Sequence, residues 1–123
     1  MRKSHKEVIG AFIDGTHKVA GNTKSTFNPV TRNMDLLLHD NRIATMSNRD
    51  GVKKLWVSCG GYEKKGIPVP SRTTQAWLND LFSELDLPAR VYIKGGVQYL
   101  DCSRHGTVNL MALRKSAVLV SVH

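Results

Sequence analysis

Between Pro70 and Pro88 the chain carries one apolar stripe at helical period. Trp77, Leu78, Leu81, Phe82 and Leu85 recur at offsets of one, four, five and eight residues. The spacing predicts a helix over about 71–86, with Ser71 or Thr73 as the N-cap and Pro88 closing the far end. Asn79, Asp80, Ser83 and Glu84 fall on the opposite, wet face. A helix with such a stripe must bury it, and most of the remaining chain reads as strand, so its partner is a sheet face. The fold class that follows is α+β. A single two-layer domain spans 1–123, mainly antiparallel sheet, with one amphipathic helix packed on one face through Trp77, Leu81 and Phe82.

The strands are read from short runs of β-favouring residues between turn signals. Val8 to Ile13 reads as a first strand. Met34 to Leu38 and Arg42 to Met46 flank the turn triplet His39-Asp40-Asn41. Asp50-Gly51 precedes Lys54 to Cys59, and Gly95-Gly96 joins Arg90 to Lys94 with Val97 to Asp101. Val108 to Leu113 and Ala117 to Val122 complete the set. Three segments are expected to stay irregular: a flexible N-terminus at 1–6 and polar, glycine-punctuated mobile loops at 15–25 and 60–69.

A chain of 123 residues that is 41% hydrophobic can build a core without metal or disulfide help. The two cysteines, Cys59 and Cys102, are expected as free thiols in a reducing compartment. The apolar run after the basic N-terminus is too short for a signal-peptide core, and no run approaches the roughly 20 residues of a membrane span. The expected location is cytoplasmic, with no membrane partner.

Eighteen Lys and Arg oppose ten Asp and Glu, a net charge of +8. The segment 71–87 holds three acidic residues against Arg72, net −2, so the remainder carries +10. The positive field therefore belongs to the sheet and loops, which favours a polyanionic partner, DNA or RNA. Strand alternation places Arg90, Tyr92 and Lys94 on one face, cations interleaved with an aromatic ring. That pairing suits nucleic acid, because cations hold phosphates while a ring stacks on a base. Lys18, Lys24, Lys53, Lys54, Lys64 and Lys65 are further candidate contacts. The helix start Ser71-Arg72-Thr73-Thr74 offers free N–H groups beside a guanidinium and is a candidate phosphate site.

Catalytic and metal motifs fall short. Gly21-Asn22-Thr23-Lys24-Ser25 lacks the Walker spacing. Cys102 and His105, with Cys59 or His39-Asp40, give only one short-spaced pair, where structural zinc uses two. Asp14, Asp35, Asp40, Asp50 and Asp101 lie on five separate segments, too scattered for a two-metal site. His5, His17, His39, His105 and His123 leave a metal-free nuclease as an alternative. No catalytic residue, metal or cofactor is assigned.

Gly21-Asn22, then Ile43-Ala44, Tyr62, and Ser71-Arg72-Thr73-Thr74 with Leu78 and Leu81 resemble small proteins encoded by tailed phages and mobile elements. The resemblance covers residues 21–82. It departs at Gln75, Ala76 and Trp77, where those proteins place a His soon after the Thr-Thr pair, so no role tied to that His carries over. The resemblance implies a phage or mobile-element origin, the host cytoplasm as location, and action on host machinery. The leading expectation is a basic protein that binds nucleic acid without catalysis. The alternatives are a stoichiometric inhibitor that occupies a host protein and the small nuclease. An exposed sheet face or edge also leaves room for a homodimer.

Overall fold

A computed structural model describes residues 2–122, and they form an α+β fold with two helices and antiparallel sheets. The order is α1 (Lys3–Asp14), β1 (Lys18–Ala20), β2 (Thr23–Asn28), β3 (Asn33–Leu38), β4 (Asn41–Arg49), β5 (Val52–Val57), β6 (Glu63–Lys64), β7 (Ile67–Pro68), α2 (Arg72–Glu84), β8 (Arg90–Lys94), β9 (Val97–Cys102), β10 (Gly106–Asn109), a 3-10 turn (Leu110–Leu113) and β11 (Val118–Val122). The first five strands run as a meander, and β11 returns to pair with β5, giving a six-stranded sheet in the order β1-β2-β3-β4-β5-β11. A three-stranded sheet, β10-β9-β8, and the small hairpin β6-β7 complete the strands. No helix among the described residues is long and apolar enough to cross a membrane.

The expected strand over Val8 to Ile13 is instead part of α1. The run is short, and its buried residues His5, Val8, Ile9 and Phe12 recur at helical period once His5 is counted as an inward position. Gly15 ends the helix in the left-handed conformation (φ 81), which lets its N–H reach Ala11 O. Within the segment 1–6, Lys3 opens α1 and His5 is buried. Met1 lies outside the described residues. Within 15–25, β1 and β2 pair across a two-residue turn at Gly21-Asn22, and within 60–69 the β6-β7 hairpin forms. Val108 to Leu113 is not one strand. Asn109 breaks it by accepting the Met111 and Ala112 N–H groups, which folds the rest into the 3-10 turn.

The buried apolar residues form one contiguous cluster. On the six-stranded sheet, Met34, Leu36, Ala44, Met46, Leu55 and Val57 are joined by direct cross-strand pairing and so share one face, the face that meets the helices. Helix α1 packs on β1, β2 and β3 and against α2, while α2 packs on β4 and on β8. Ser71 caps α2, its hydroxyl accepting the Thr74 N–H at 3.1 Å.

Two polar residues clamp α2 to the smaller sheet. Asn79 donates to Val91 O at 2.8 Å and accepts from Val91 N at 2.7 Å. Gln98, fully buried, accepts from Ser71 N at 3.2 Å and donates to Ser71 O at 2.9 Å. Asn79 and Asp80 are therefore not simply a wet face. Asp80 meets His5 Nδ1 at 2.6 Å, and the His5 ring stacks on Trp77 at 3.8 Å, which joins the two helices.

Tyr62 anchors the segment after β5 by donating its hydroxyl to Leu38 O at 2.8 Å. The chain passes so close beneath its ring that a Cβ on Gly60 (φ 84) would sit 2.6 Å from Tyr62 Cε2. Burial pushes the Tyr62 phenol above its ordinary value of 10.0.

Two outcomes follow from these contacts. Asn79→Ala strands both backbone groups of buried Val91 and is expected to cost about 2–4 kcal/mol in urea unfolding. The exposed Ser83→Ala on the same helix should cost no more than about 0.5 kcal/mol. For Tyr62, a raised folded-state pKa means stability is intact below the unfolded value and is lost as pH rises through the folded one. Tyr62→Phe should therefore lose about 1 kcal/mol at neutral pH, from the missing hydrogen bond. It should also show a smaller further loss than wild type when the urea midpoint is measured again at about pH 11.

Candidate nucleic-acid interface

The three-stranded sheet builds its outer face from a two-residue turn. Gly95 and Gly96 take positive φ (59 and 76), the geometry of a tight hairpin that side chains disfavour. The turn fixes the register: Arg90 opposite Asp101, Tyr92 opposite Tyr99, Lys94 opposite Val97. Val91, Gln98, Leu100 and Cys102 point inward and are buried. Arg90, Tyr92, Lys94, Val97, Tyr99 and Asp101 share the outer face, extended by Thr107 and Asn109 on β10.

The two tyrosines stack, with ring centroids 5.6 Å apart and planes at 28°. The Arg90 guanidinium lies 4.7 Å from the centre of the Tyr92 ring, within cation–π range. Asp101 organises the group. It accepts from the Tyr92 hydroxyl at 3.4 Å and from the Thr107 hydroxyl at 2.7 Å, and it lies 3.5 Å from Arg90 Nη2. Arg90 remains about two-thirds exposed, Lys94 is exposed and both rings are half-buried. The face is a flat aromatic pair edged by two cations.

Arg90, Tyr92 and Lys94 thus share one face, and Tyr99 joins them. Tyr99 was legible: it stands three residues beyond the Gly95-Gly96 turn, as Tyr92 stands three before it. The other candidate cations are dispersed. Lys24 and Lys54 lie on the face of the six-stranded sheet turned away from the helices, and Lys24 pairs with Asp40 at 3.4 Å. Lys53 points to the opposite face, lining a cleft with Phe12 and Phe27. Lys18 is exposed on the edge strand β1, and Lys64 and Lys65 are exposed on the β6-β7 hairpin.

At the start of α2, Ser71 and Thr74 are engaged in the cap and Thr74 is fully buried. Arg72 and Thr73 are exposed and line an open hollow with Arg2 and the His5–Asp80 pair. Gly21-Asn22 serves as a hairpin turn between β1 and β2. Cys59 and Cys102 are free and buried, and the Cys59 thiol points at the Arg114 and Leu110 carbonyls. Of the remaining histidines, His17 and His39 are exposed, His105 lies 3.0 Å from Leu119 O, and His123 is outside the described residues. No group of three or more His, Cys, Asp and Glu among the described residues is placed to hold a metal ion.

No curated protein and no solved structure matches the chain. A family model described as Kyanoviridae Gp96 protein matches residues 1–115. That span contains both helices, ten of the eleven strands and the whole Tyr92–Tyr99 face. The chain is a small phage-encoded protein and belongs to the Kyanoviridae Gp96 protein family.

Proposed function

We propose that this phage protein binds single-stranded nucleic acid without catalysis, through the outer face of its three-stranded sheet. The observation that carries the reading is the stacked Tyr92–Tyr99 pair between Arg90 and Lys94. Bases in a single strand have free π-faces, and stacking on an aromatic side chain contributes about 1–3 kcal/mol per base. Lys94 and the exposed Arg90 guanidinium can hold the flanking phosphates. The net charge of +8 adds attraction at longer range. In the free protein Asp101 neutralises Arg90, so a phosphate competes with a carboxylate for that guanidinium. Duplex DNA hides its base faces and gains only the phosphate contacts, so it binds less well.

Fluorescence anisotropy of the nuclease-treated protein with labelled single- and double-stranded oligonucleotides, at two salt concentrations, tests this. The single strand should bind more tightly. Tyr92→Ala with Tyr99→Ala should weaken it by about tenfold or more while leaving the salt slope in place. Arg90→Ala with Lys94→Ala should lower both affinity and slope, because each phosphate contact contributes about 0.7 to the slope for single strands. Asp101→Asn should tighten binding, since it frees Arg90. No binding at low salt, or binding indifferent to both double variants, sinks the reading. In the first case a pull-down for a salt-resistant host protein partner is the next experiment.

A further inference from the structure

The six-stranded sheet has a second open face, and it is not featureless. Direct pairing carries one row across five strands: Thr26, Asp35, Thr45, Trp56 and Leu119. This row points away from the helices, since the alternate residues form the core. Asp35 is 6% exposed, and its charge is met by the Thr45 hydroxyl at 2.8 Å and the Asn28 amide at 3.2 Å. Trp56, on the far side of Thr45 in the same row, is half-buried. Next to this row Asn33, Ser47, Arg49 and Lys54 join Trp56 around a cavity of about 400 Å³.

The chemistry of the lining is mixed in a specific way. The indole offers a flat apolar wall. Arg49 and Lys54 bring two positive charges, and Asp50 on the β4-β5 turn offsets one of them. The Arg49 guanidinium is fixed, donating from Nη2 to Thr31 O at 2.9 Å. Asn33 Oδ1 is buried with no hydrogen-bond partner among the described residues. An acceptor desolvated in this way calls for an N–H donor. Asn33 lines the cavity, and its terminal torsion is broad enough for the amide to turn. A simple anion would not use the indole, and an apolar ligand would not use the cations or the amide.

We propose that this cavity takes one nucleotide, its base stacked on Trp56, an amino group of the base on Asn33 and its phosphate on Lys54 and Arg49. The choice of ligand class rests on the nucleic-acid reading above, but the site is a different surface. It lies on another sheet and shares no residue with the tyrosine face. The base comes either from a free nucleotide or from a strand that reaches both sheets.

Tryptophan emission reads this site directly. Of the two tryptophans, Trp77 is 4% exposed and covered by His5, so a change on ligand addition reports Trp56. The full chain is titrated with adenosine monophosphate, with ribose phosphate lacking a base, and with a short single-stranded adenine oligonucleotide. Saturable quenching is expected with the base-containing ligands and none with ribose phosphate. Trp56→Phe should remove the quenching while Trp77 emission and the thermal unfolding curve remain. Lys54→Glu, a change at an exposed position, should raise Kd by about tenfold. Quenching by the mononucleotide assigns a free-nucleotide site, and quenching by the oligonucleotide alone assigns a strand-borne base; both uphold the pocket. No quenching by either, or quenching insensitive to Lys54→Glu, overturns it. The two readings fail separately. Loss of the pocket leaves tyrosine-dependent anisotropy intact, and Tyr92→Ala with Tyr99→Ala should leave mononucleotide quenching intact.

Discussion

The arrangement of this molecule depends on two side-chain amides that bind backbone from both ends. Strand β8 pairs with β9 on one side only, so Val91 has a donor and an acceptor facing α2 with no strand to receive them. Asn79 receives both. Gln98 does the same in reverse, reaching from β9 to the backbone of Ser71 at the start of the helix. Each is a two-point contact in a buried setting, where an unpaired polar group is costly. An apolar stripe alone would let the small sheet slide along α2, because hydrophobic burial has little direction. The amides fix its position, and with it the orientation of the tyrosine face.

The two open sheet faces follow one rule. Each carries an aromatic side chain in the same cross-strand row as a carboxylate that is already hydrogen-bonded, Asp101 by Tyr92 and Thr107, Asp35 by Thr45 and Asn28. The acidic groups hold neighbouring side chains in place, and the cations stand further out: Arg90 and Lys94 on one sheet, Arg49 and Lys54 on the other. Such a face can offer positive charge and a flat ring together without leaving the long basic side chains to collapse onto the rings at random. The cation–π contact of Arg90 with Tyr92 shows that ordering directly.

How much of this was legible depended on the range of the signal. Short turns carry their geometry locally, so the hairpins expected at His39-Asp40-Asn41 and Gly95-Gly96 and the turn at Asp50-Gly51 all form, although Asn41 already belongs to β4. The α2 stripe read correctly for the same reason, with five apolar residues at helical period between Trp77 and Leu85. Helix α1 failed because His5 supplies one of its inward positions, and a histidine does not register as apolar until its partners Trp77 and Asp80 are known. The β5–β11 pairing joins residues some sixty positions apart, and nothing local announces it. Asn79 read as solvent-facing because its partner lies on a different element. Tyr99 was within reach, since counting outward from the glycine turn places it against Tyr92.

The dispersal of the lysines bears on what net charge can decide. The sequence does not say which basic clusters converge, and Lys18, Lys24, Lys53, Lys54, Lys64, Lys65, Arg90 and Lys94 occupy at least four parts of the molecule. At about 0.1 M salt the Debye length is roughly 10 Å, shorter than the span of a domain this size. Each patch therefore acts almost alone. A charge of +8 spread in this way does not by itself single out one face. What distinguishes one face from another is the short-range chemistry that cations cannot supply: a ring to stack on, a fixed guanidinium, an amide with an unused acceptor. By that measure only the tyrosine sheet and the Trp56 face stand out among the described residues, and the β6-β7 hairpin with Lys64 and Lys65 does not.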